Sequence, residues 1–293
     1  MPNPTPEPSQ TSQPSMPSPA LHDVPPSALL LALELRALGE FGALLPAWPV
    51  LRRAPKGDGH AVLVFPGLSA NDLTTIPLRR YIRSLGYRTS GWEQGMNRGP
   101  RAGVLEKAHA QLARMAAATG GKVSLVGWSL GGIFARELAK QAPGLVRCVV
   151  TLGTPFAGSH KSTNAWRLYE LVSRSRIEDE IGDYDLPAPP PVPTTSIYSR
   201  SDGIVAWKGS VQRADPQQPL TENIEVPASH IGLGGNPATY WAVADRLAQP
   251  ENGWRPFIES QAGAWPAGNN HGSAKAGAAR RIHGFLYPDP SRP

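Results

Sequence analysis

One serine of this sequence stands between two glycines in a pattern that can activate a hydroxyl group. The residues at 127–131 read G-W-S-L-G, and they join a short apolar run at 122–126 to a segment of helical periodicity at 130–141. A tight turn between a strand and a helix holds its central residue in a strained conformation, and flanking glycines let neighbouring backbone approach. The pattern predicts Ser129 as a nucleophile, and a glycine-rich turn with a solvated serine is the alternative.

A serine hydroxyl becomes a good nucleophile only when a base accepts its proton and an acid orients that base. After a strand–turn–helix of this kind, the acid and then the histidine follow the serine in sequence. Asp202 comes directly after the apolar run at 195–199, and His230 follows the run at 223–226. We therefore predict Asp202 as the acid and His230 as the base, with His160, which precedes the acid, as the alternative base.

Two backbone N–H groups are also needed, because attack on a carbonyl group creates a negatively charged oxygen. The residue after the nucleophile, here Leu130, normally donates one of them. The turn formed by Pro66, Gly67 and Leu68 follows an apolar run at 61–65, and its proline has no N–H to donate. Leu68 and Leu130 are the predicted donors, and an ordinary Pro-Gly turn is the alternative interpretation of the first.

The elements that must position these residues alternate between short β-branched runs and longer segments of helical periodicity. The predicted strands are 61–65, 87–91, 122–126, 147–152, 195–199 and 223–226, and the predicted helices are 27–45, 73–85, 103–118, 130–141 and 237–248. This alternation is typical of a parallel sheet with helices on both faces. The sequence therefore predicts an α/β fold with a mostly parallel central sheet.

The two ends of the chain differ in composition from its middle. Residues 1–26 hold nine prolines among Ser, Thr and Gln, and Gly, Asn and Ala dominate from about residue 261. Both segments have too little apolar surface to offset the entropy of ordering. We predict disordered segments at 1–26 and 261–293 around one α/β domain at 27–260.

Composition excludes several classes of protein and partner. The 30 Gly and 32 Pro argue against a coiled coil, and a single Cys148 argues against a disulfide scaffold. The net charge of +6 comes from cations scattered singly or in pairs, so no nucleic-acid partner is expected. No Cys and His spacing suggests zinc, and the sequence leaves a structural metal ion such as calcium open. No apolar stretch reaches about 18 residues and the first 27 residues hold no Lys or Arg, so we expect no transmembrane segment, no Sec signal and a cytoplasmic location.

Together these blocks resemble the α/β-hydrolase superfamily, and within it the bacterial lipases and esterases, triacylglycerol lipases included. The resemblance rests on residues 64–69, 127–132, 151–155, 195–202 and 229–233. It implies an α/β-hydrolase fold and hydrolysis of carboxylic esters by a Ser129–Asp202–His230 triad, without a cofactor. Pro66 stands where many lipases have His, and so does Phe156, so the resemblance implies ester hydrolysis more firmly than triglyceride hydrolysis.

Residues 156–193 form an insertion at the place where this fold usually carries a cap. Its helical part, residues 164–172, is predicted to cover an apolar acyl pocket, and an ordinary surface helix is the alternative. The predicted substrate pocket includes Trp128, Phe156, Trp166 and Trp207.

Other functions remain open at this point. An acyltransferase, a thioesterase or a polyester depolymerase would use the same triad, because each passes through an acyl-enzyme. A non-catalytic domain that binds lipid through its Leu-rich helix at 28–45 is the remaining alternative, but that helix has no basic face. A small-molecule ester or lipid is therefore the expected partner, and the sequence leaves the oligomeric state open.

Overall fold

The computed structural model describes residues 25–157 and 185–257. The predicted tail at 261–293, nearly all of the segment at 1–26 and most of the cap insertion at 156–193 lie outside these residues, and so do His160 and Trp166. Among the described residues, no helix has both the length and the apolar character needed to cross a bilayer.

Six strands in the described ranges form one sheet in which every neighbouring pair is parallel. Their bounds are Ala61–Phe65 (β1), Arg88–Gly91 (β2), Val123–Trp128 (β3), Val146–Leu152 (β4), Thr194–Tyr198 (β5) and Thr221–Glu225 (β6). The order across the sheet is β2-β1-β3-β4-β5-β6. The predicted parallel sheet is confirmed. Since all these strands run the same way, their carboxyl ends meet at one edge of the sheet.

Helices cover both faces of the sheet, as predicted. They are Ala28–Ala32 (α1), Ala37–Leu51 (α2), Ile76–Ser84 (α3), Val104–Thr119 (α4), Leu130–Gln141 (α5) and Pro237–Leu247 (α6), with a 3₁₀ turn at Leu33–Arg36 between α1 and α2. Helices α2, α3 and α6 share a core with Val62 and Val64 of β1. Helices α4 and α5 share the opposite core with Leu63 and Phe65. Successive strand residues point to opposite faces, so the apolar run of β1 supplies both cores.

The first helices extend further than the predicted helix at 27–45, because α2 continues to Leu51. Pro46 and Pro49 lie inside α2, where each lacks the N–H that would bond to the carbonyl four residues earlier. Those two carbonyls belong to exposed residues, where water can bind them. Helix α2 therefore continues past Pro46 and Pro49, although proline normally ends or kinks a helix.

In residues 28–51, which we term the N-terminal segment, several leucine side chains are exposed to solvent while an acidic side chain is buried. Leu29, Leu35 and Leu38 are 70%, 79% and 81% exposed, whereas Glu34 is only 6% exposed. Glu34, which interrupts the Leu-rich pattern in the sequence, is thus packed against the rest of the chain.

Candidate active site

Ser129 lies between the last residue of β3 and the first residue of α5, in a turn with a strained backbone. Its φ and ψ angles are +53° and −125°, and it is one of three non-glycine residues in the described ranges with a positive φ. A Cβ atom at Gly131 would lie 2.6 Å from the carbonyl oxygens of Phe65 and Pro66, and one at Gly127 would collide with the backbone of α5. Space therefore requires both glycines, as the sequence pattern predicts.

Two hydrogen bonds tie this turn to the neighbouring strand. The backbone N–H of Ser129 donates to the carbonyl oxygen of Leu152 at 2.7 Å. The hydroxyl of Thr154 donates to the carbonyl oxygen of Ser129 at 2.9 Å. Because Leu152 ends β4, these bonds hold the serine at the carboxyl edge of the sheet, where its residue stays partly exposed.

Three side chains from different loops form one hydrogen-bonded chain at this edge. The Nε2 atom of His230 lies 2.9 Å from Oγ of Ser129, and its Nδ1 atom lies 2.6 Å from Oδ2 of Asp202. Asp202 follows β5, and its other oxygen accepts the N–H groups of Ile204 and Val205 at 2.8 and 2.7 Å. The structure thus brings together the three residues that sequence order selects as nucleophile, base and acid.

The surroundings of His230 act on its pKa in opposite directions. Burial lowers the pKa, because it disfavours the charged ring, whereas the charge and hydrogen bond of Asp202, and the charge of Glu34, raise it. The net result is a pKa above the ordinary value. An environment of this kind stabilises the imidazolium that a histidine becomes when it accepts a proton.

Comparisons with known proteins identify the fold. A family model described as the alpha/beta hydrolase fold matches residues 90–173. No curated protein sequence matches significantly. Among solved structures, lipase B of Aspergillus fumigatus is similar, at 17% identity and a TM-score of 0.51, over 65% of this chain and 52% of that one. The chain has the α/β-hydrolase fold.

A second similar structure is the monoacylglycerol lipase of Paleococcus ferrophilus, at 16% identity and a TM-score of 0.48, over 67% of this chain and 96% of that one. The chain matches only about half the length of the Aspergillus lipase. At 17% identity the likeness to the Aspergillus lipase shows the α/β-hydrolase fold alone, and the reaction has to be inferred from the site itself.

The two predicted oxyanion donors of this α/β-hydrolase fold lie next to Ser129. Leu130 directly follows it as the first residue of α5. Leu68 follows Gly67, where a Cβ atom would lie only 3.3 Å from the Cβ of Ser129. Among the described residues, no acceptor bonds to the N–H group of Leu68 or Leu130. The positive end of the α5 dipole lies at Leu130, the first residue of that helix.

A buried asparagine that the sequence analysis did not select holds the loop of Leu68. The side chain of Asn97 donates to the carbonyl oxygen of Pro66 at 2.8 Å. Its backbone accepts from the N–H of Ser69 and donates to the carbonyl of Ala70, both at 2.8 Å. Since Asn97 is fully buried, these bonds fix the loop without competition from water.

The predicted pocket residues have three different environments. Trp128 is half-buried and donates its indole N–H to the carbonyl oxygen of His230 at 3.1 Å, so it supports the histidine loop. Phe156 is buried, with the guanidinium of Arg136 3.8 Å from its ring centre. Trp207 stacks on Tyr198 of β5. Trp166 lies outside the described residues.

Another contact with the site that sequence reasoning missed comes from Glu34. Its carboxylate accepts hydrogen bonds from backbone N–H groups beside Asp202 and at His230. Main-chain N–H groups occur in every non-proline residue, so the sequence carries no mark of such a partner. The available signal was a single acidic residue within the leucine run at 29–35.

Proposed function

We propose that the protein is a serine hydrolase that cleaves carboxylic esters through an acyl-enzyme on Ser129. The observation that carries this proposal is the continuous hydrogen-bonded chain from Ser129 through His230 to Asp202. The chain of hydrogen bonds ends at a partly exposed hydroxyl near the N–H groups of Leu68 and Leu130, which have no acceptor within residues 25–157 and 185–257.

The mechanism follows from the position of each proton. His230 accepts the proton of Ser129 through Nε2 while Oγ attacks the ester carbonyl. Asp202 accepts the Nδ1 proton in a hydrogen bond, which keeps the ring in the tautomer that leaves Nε2 free to act as a base. The same ring then donates the proton to the departing alcohol, and a water molecule later releases the acid by the reverse sequence.

The negative oxygen of the intermediate would be stabilised by backbone groups. The N–H groups of Leu68 and Leu130 are the proposed donors: Leu130 directly follows Ser129, Gly67 lies close to Ser129, and Asn97 bonds to Pro66 of the loop that carries Leu68. One such donor typically contributes about 3 kcal/mol to the stability of the transition state.

A fluorophosphonate probe tests the proposal, because it reacts with activated serines regardless of the natural substrate. We expect intact-protein mass spectrometry to show one adduct, peptide mapping to locate it on Ser129, and His230→Ala to prevent it. Partly exposed Ser201 serves as an internal control, since its hydroxyl bonds to Arg36, Ser199 and Ala228 and to no histidine among the described residues. An adduct that persists in His230→Ala would contradict the proposal.

The acyl acceptor is the remaining choice within this mechanism. An acyltransferase, a thioesterase and a polyester depolymerase form the same acyl-enzyme. Turnover of a p-nitrophenyl ester, an acyl thioester and a polyester film by the same preparation, each with and without added alcohol, separates these activities.

A further inference from the structure

Glu34 is a buried carboxylate in the 3₁₀ turn of the N-terminal segment, and its partners are main-chain N–H groups. One carboxylate oxygen accepts from the N–H of Gly203 and the N–H of His230, both at 2.8 Å. The other oxygen accepts from the N–H of Ile231 at 2.9 Å. A buried carboxylate needs such bonds, and three charge-assisted ones satisfy it well.

These three donors belong to the two loops that carry the acid and the base. Gly203 directly follows Asp202, and the other two donors are His230 and the residue after it. The Glu34 side chain therefore links the acid loop to the base loop through their backbone N–H groups. The imidazole of His230 links the same two loops through its hydrogen bond to the Asp202 side chain.

Neighbouring residues of the N-terminal segment repeat this arrangement. Glu40 accepts the N–H of Ser229 at 2.9 Å and also pairs with Arg36 at 3.0 Å. Arg36 in turn donates to the carbonyl oxygen of Ser201 at 2.8 Å. The segment thus contacts the residue before the acid and the residue before the base as well as those after them.

The close approach of the two backbones shows that this docking is tight. A Cβ atom at Gly203 would collide with the carbonyl oxygen of Leu30 in α1. The residue that follows the acid must therefore be glycine for the N-terminal segment to reach the loops.

We propose that Glu34 is a positioning residue, which fixes the backbone of His230 and the loop of Asp202 so that the imidazole lies between Ser129 and the acid. This inference rests on the proposed serine-hydrolase function, because only then does the placement of His230 affect a reaction. Glu34 acts through the main chain and touches neither substrate nor reacting atoms.

The charge of Glu34 gives this role a second signature. Among the described residues, the charges that act on His230 are Asp202 and Glu34. Glu40 and Arg36 of the N-terminal segment bond to the neighbouring residues Ser229 and Ser201 and pair with each other. Burial of His230 lowers its pKa, Asp202 raises it most and Glu34 adds to the increase. Removal of the Glu34 charge should therefore lower the pKa of His230.

The test compares Glu34→Gln with a matched control, Glu222→Gln. Glu222 is also a largely buried carboxylate that accepts a backbone N–H, that of Phe257 at 2.9 Å, but it lies near the amino end of β6, away from the site. We expect Glu34→Gln to lower kcat for a p-nitrophenyl ester by about tenfold with little change in KM, since a small displacement of a catalytic group has an effect of this size or larger. The acid limb of its pH–rate profile should move to lower pH.

For Glu222→Gln we expect a lower melting temperature and an unmoved acid limb. If Glu34→Gln lowers the melting temperature but leaves kcat and the acid limb as in the wild type, Glu34 is only structural and the proposal is wrong.

A second measurement separates this inference from the proposed function. Histidine NMR titration of Ser129→Ala, with and without Glu34→Gln, reports the pKa of His230 without any turnover, and loss of the signal in His230→Gln assigns it. A lower pKa with Glu34→Gln supports the electrostatic contact even if no ester is hydrolysed. An unchanged pKa contradicts it even if esters are hydrolysed well.

Discussion

Ser129 adopts a positive φ that disfavours any side chain, and the surrounding bonds hold it there. Such strain typically amounts to about 1–3 kcal/mol, and it persists only where neighbouring structure determines the conformation. Here the neighbours are the Leu152 carbonyl and the Thr154 hydroxyl, both bonded to the serine backbone. In this conformation Oγ lies 2.9 Å from Nε2 of His230, within the hydrogen-bond range over which a base can accept its proton.

We expect Ser129→Ala to abolish ester turnover and to leave the fold intact. The substitution removes the nucleophile, which typically lowers kcat by about 10⁴-fold or more. It removes one partly exposed hydrogen bond, so the free energy of unfolding should change by no more than about 1 kcal/mol. Turnover of a short-chain p-nitrophenyl ester and thermal melting measure the two effects. Wild-type activity in this variant would place the nucleophile elsewhere.

The raised pKa of His230 predicts the pH dependence of the reaction. The neutral ring accepts the proton, and a raised pKa keeps the ring charged to a higher pH, so kcat/KM should rise with pH through a midpoint above 6.5. Asp202→Asn removes the strongest influence that raises this pKa, so its midpoint should be lower and its plateau lower by about 10⁴-fold. A pH–rate profile with a neutral ester checks both, and a wild-type midpoint below 6.5 would contradict the assignment.

At the scale of elements, the sequence predicted most of what the site needs. Glycines at 127 and 131 indicated the turn, because only a close backbone approach requires them at that spacing. The order of serine, acid and histidine selected Asp202 and His230, since parallel strands bring their carboxyl ends to one edge. The structure places these three side chains within hydrogen-bond distance of one another, and each inference depends on local residue types and on chain order.

Other features could not be predicted because they depend on contacts between distant segments. The predicted helix at 27–45 ends before Pro46, whereas the carbonyls of exposed residues 42 and 45 allow α2 to continue through Pro46 and Pro49 to Leu51. Asn97 is one asparagine among several in loops, and its role comes from the backbone groups it meets. Glu34 is one acidic residue within a leucine run, and only tertiary packing gives it three N–H partners.

The loop after β1 gives a prediction at this scale. We expect Asn97→Ala to lower kcat for ester hydrolysis by roughly tenfold or more, because the loop that carries the Leu68 N–H loses its bond to Pro66. Asn71→Ala is the matched control: it removes an asparagine bond to the N–H of Leu73 on the exposed part of the same loop region. Steady-state kinetics decide the matter, and equal kcat values for the two variants would show that Asn97 does not position the donor.

At the scale of the whole molecule, the N-terminal segment contacts both loops that carry the predicted acid and base. A protein that begins at residue 25 should hydrolyse esters like the full chain, since the composition of residues 1–24 predicts no ordered contact. A protein that begins at residue 37 lacks Glu34 and Arg36, and we expect its turnover to fall by about 100-fold. Kinetics and thermal melting of the two truncated proteins test this, and full activity of the shorter one would refute it.

The separation of these contacts along the chain has a consequence for synthesis. Glu34 and His230 are 196 positions apart, and Ser129 and His230 are 101 positions apart. Such contacts close very long loops, so they form late in folding, and a growing polypeptide cannot make them before residue 230 leaves the ribosome. Until then Ser129 has no imidazole beside it, and Glu34 lacks two of its three N–H partners, those of His230 and Ile231. On the proposed function, a nascent chain that has not yet released His230 from the ribosome, or a chain terminated before that residue, therefore carries a serine that is not activated.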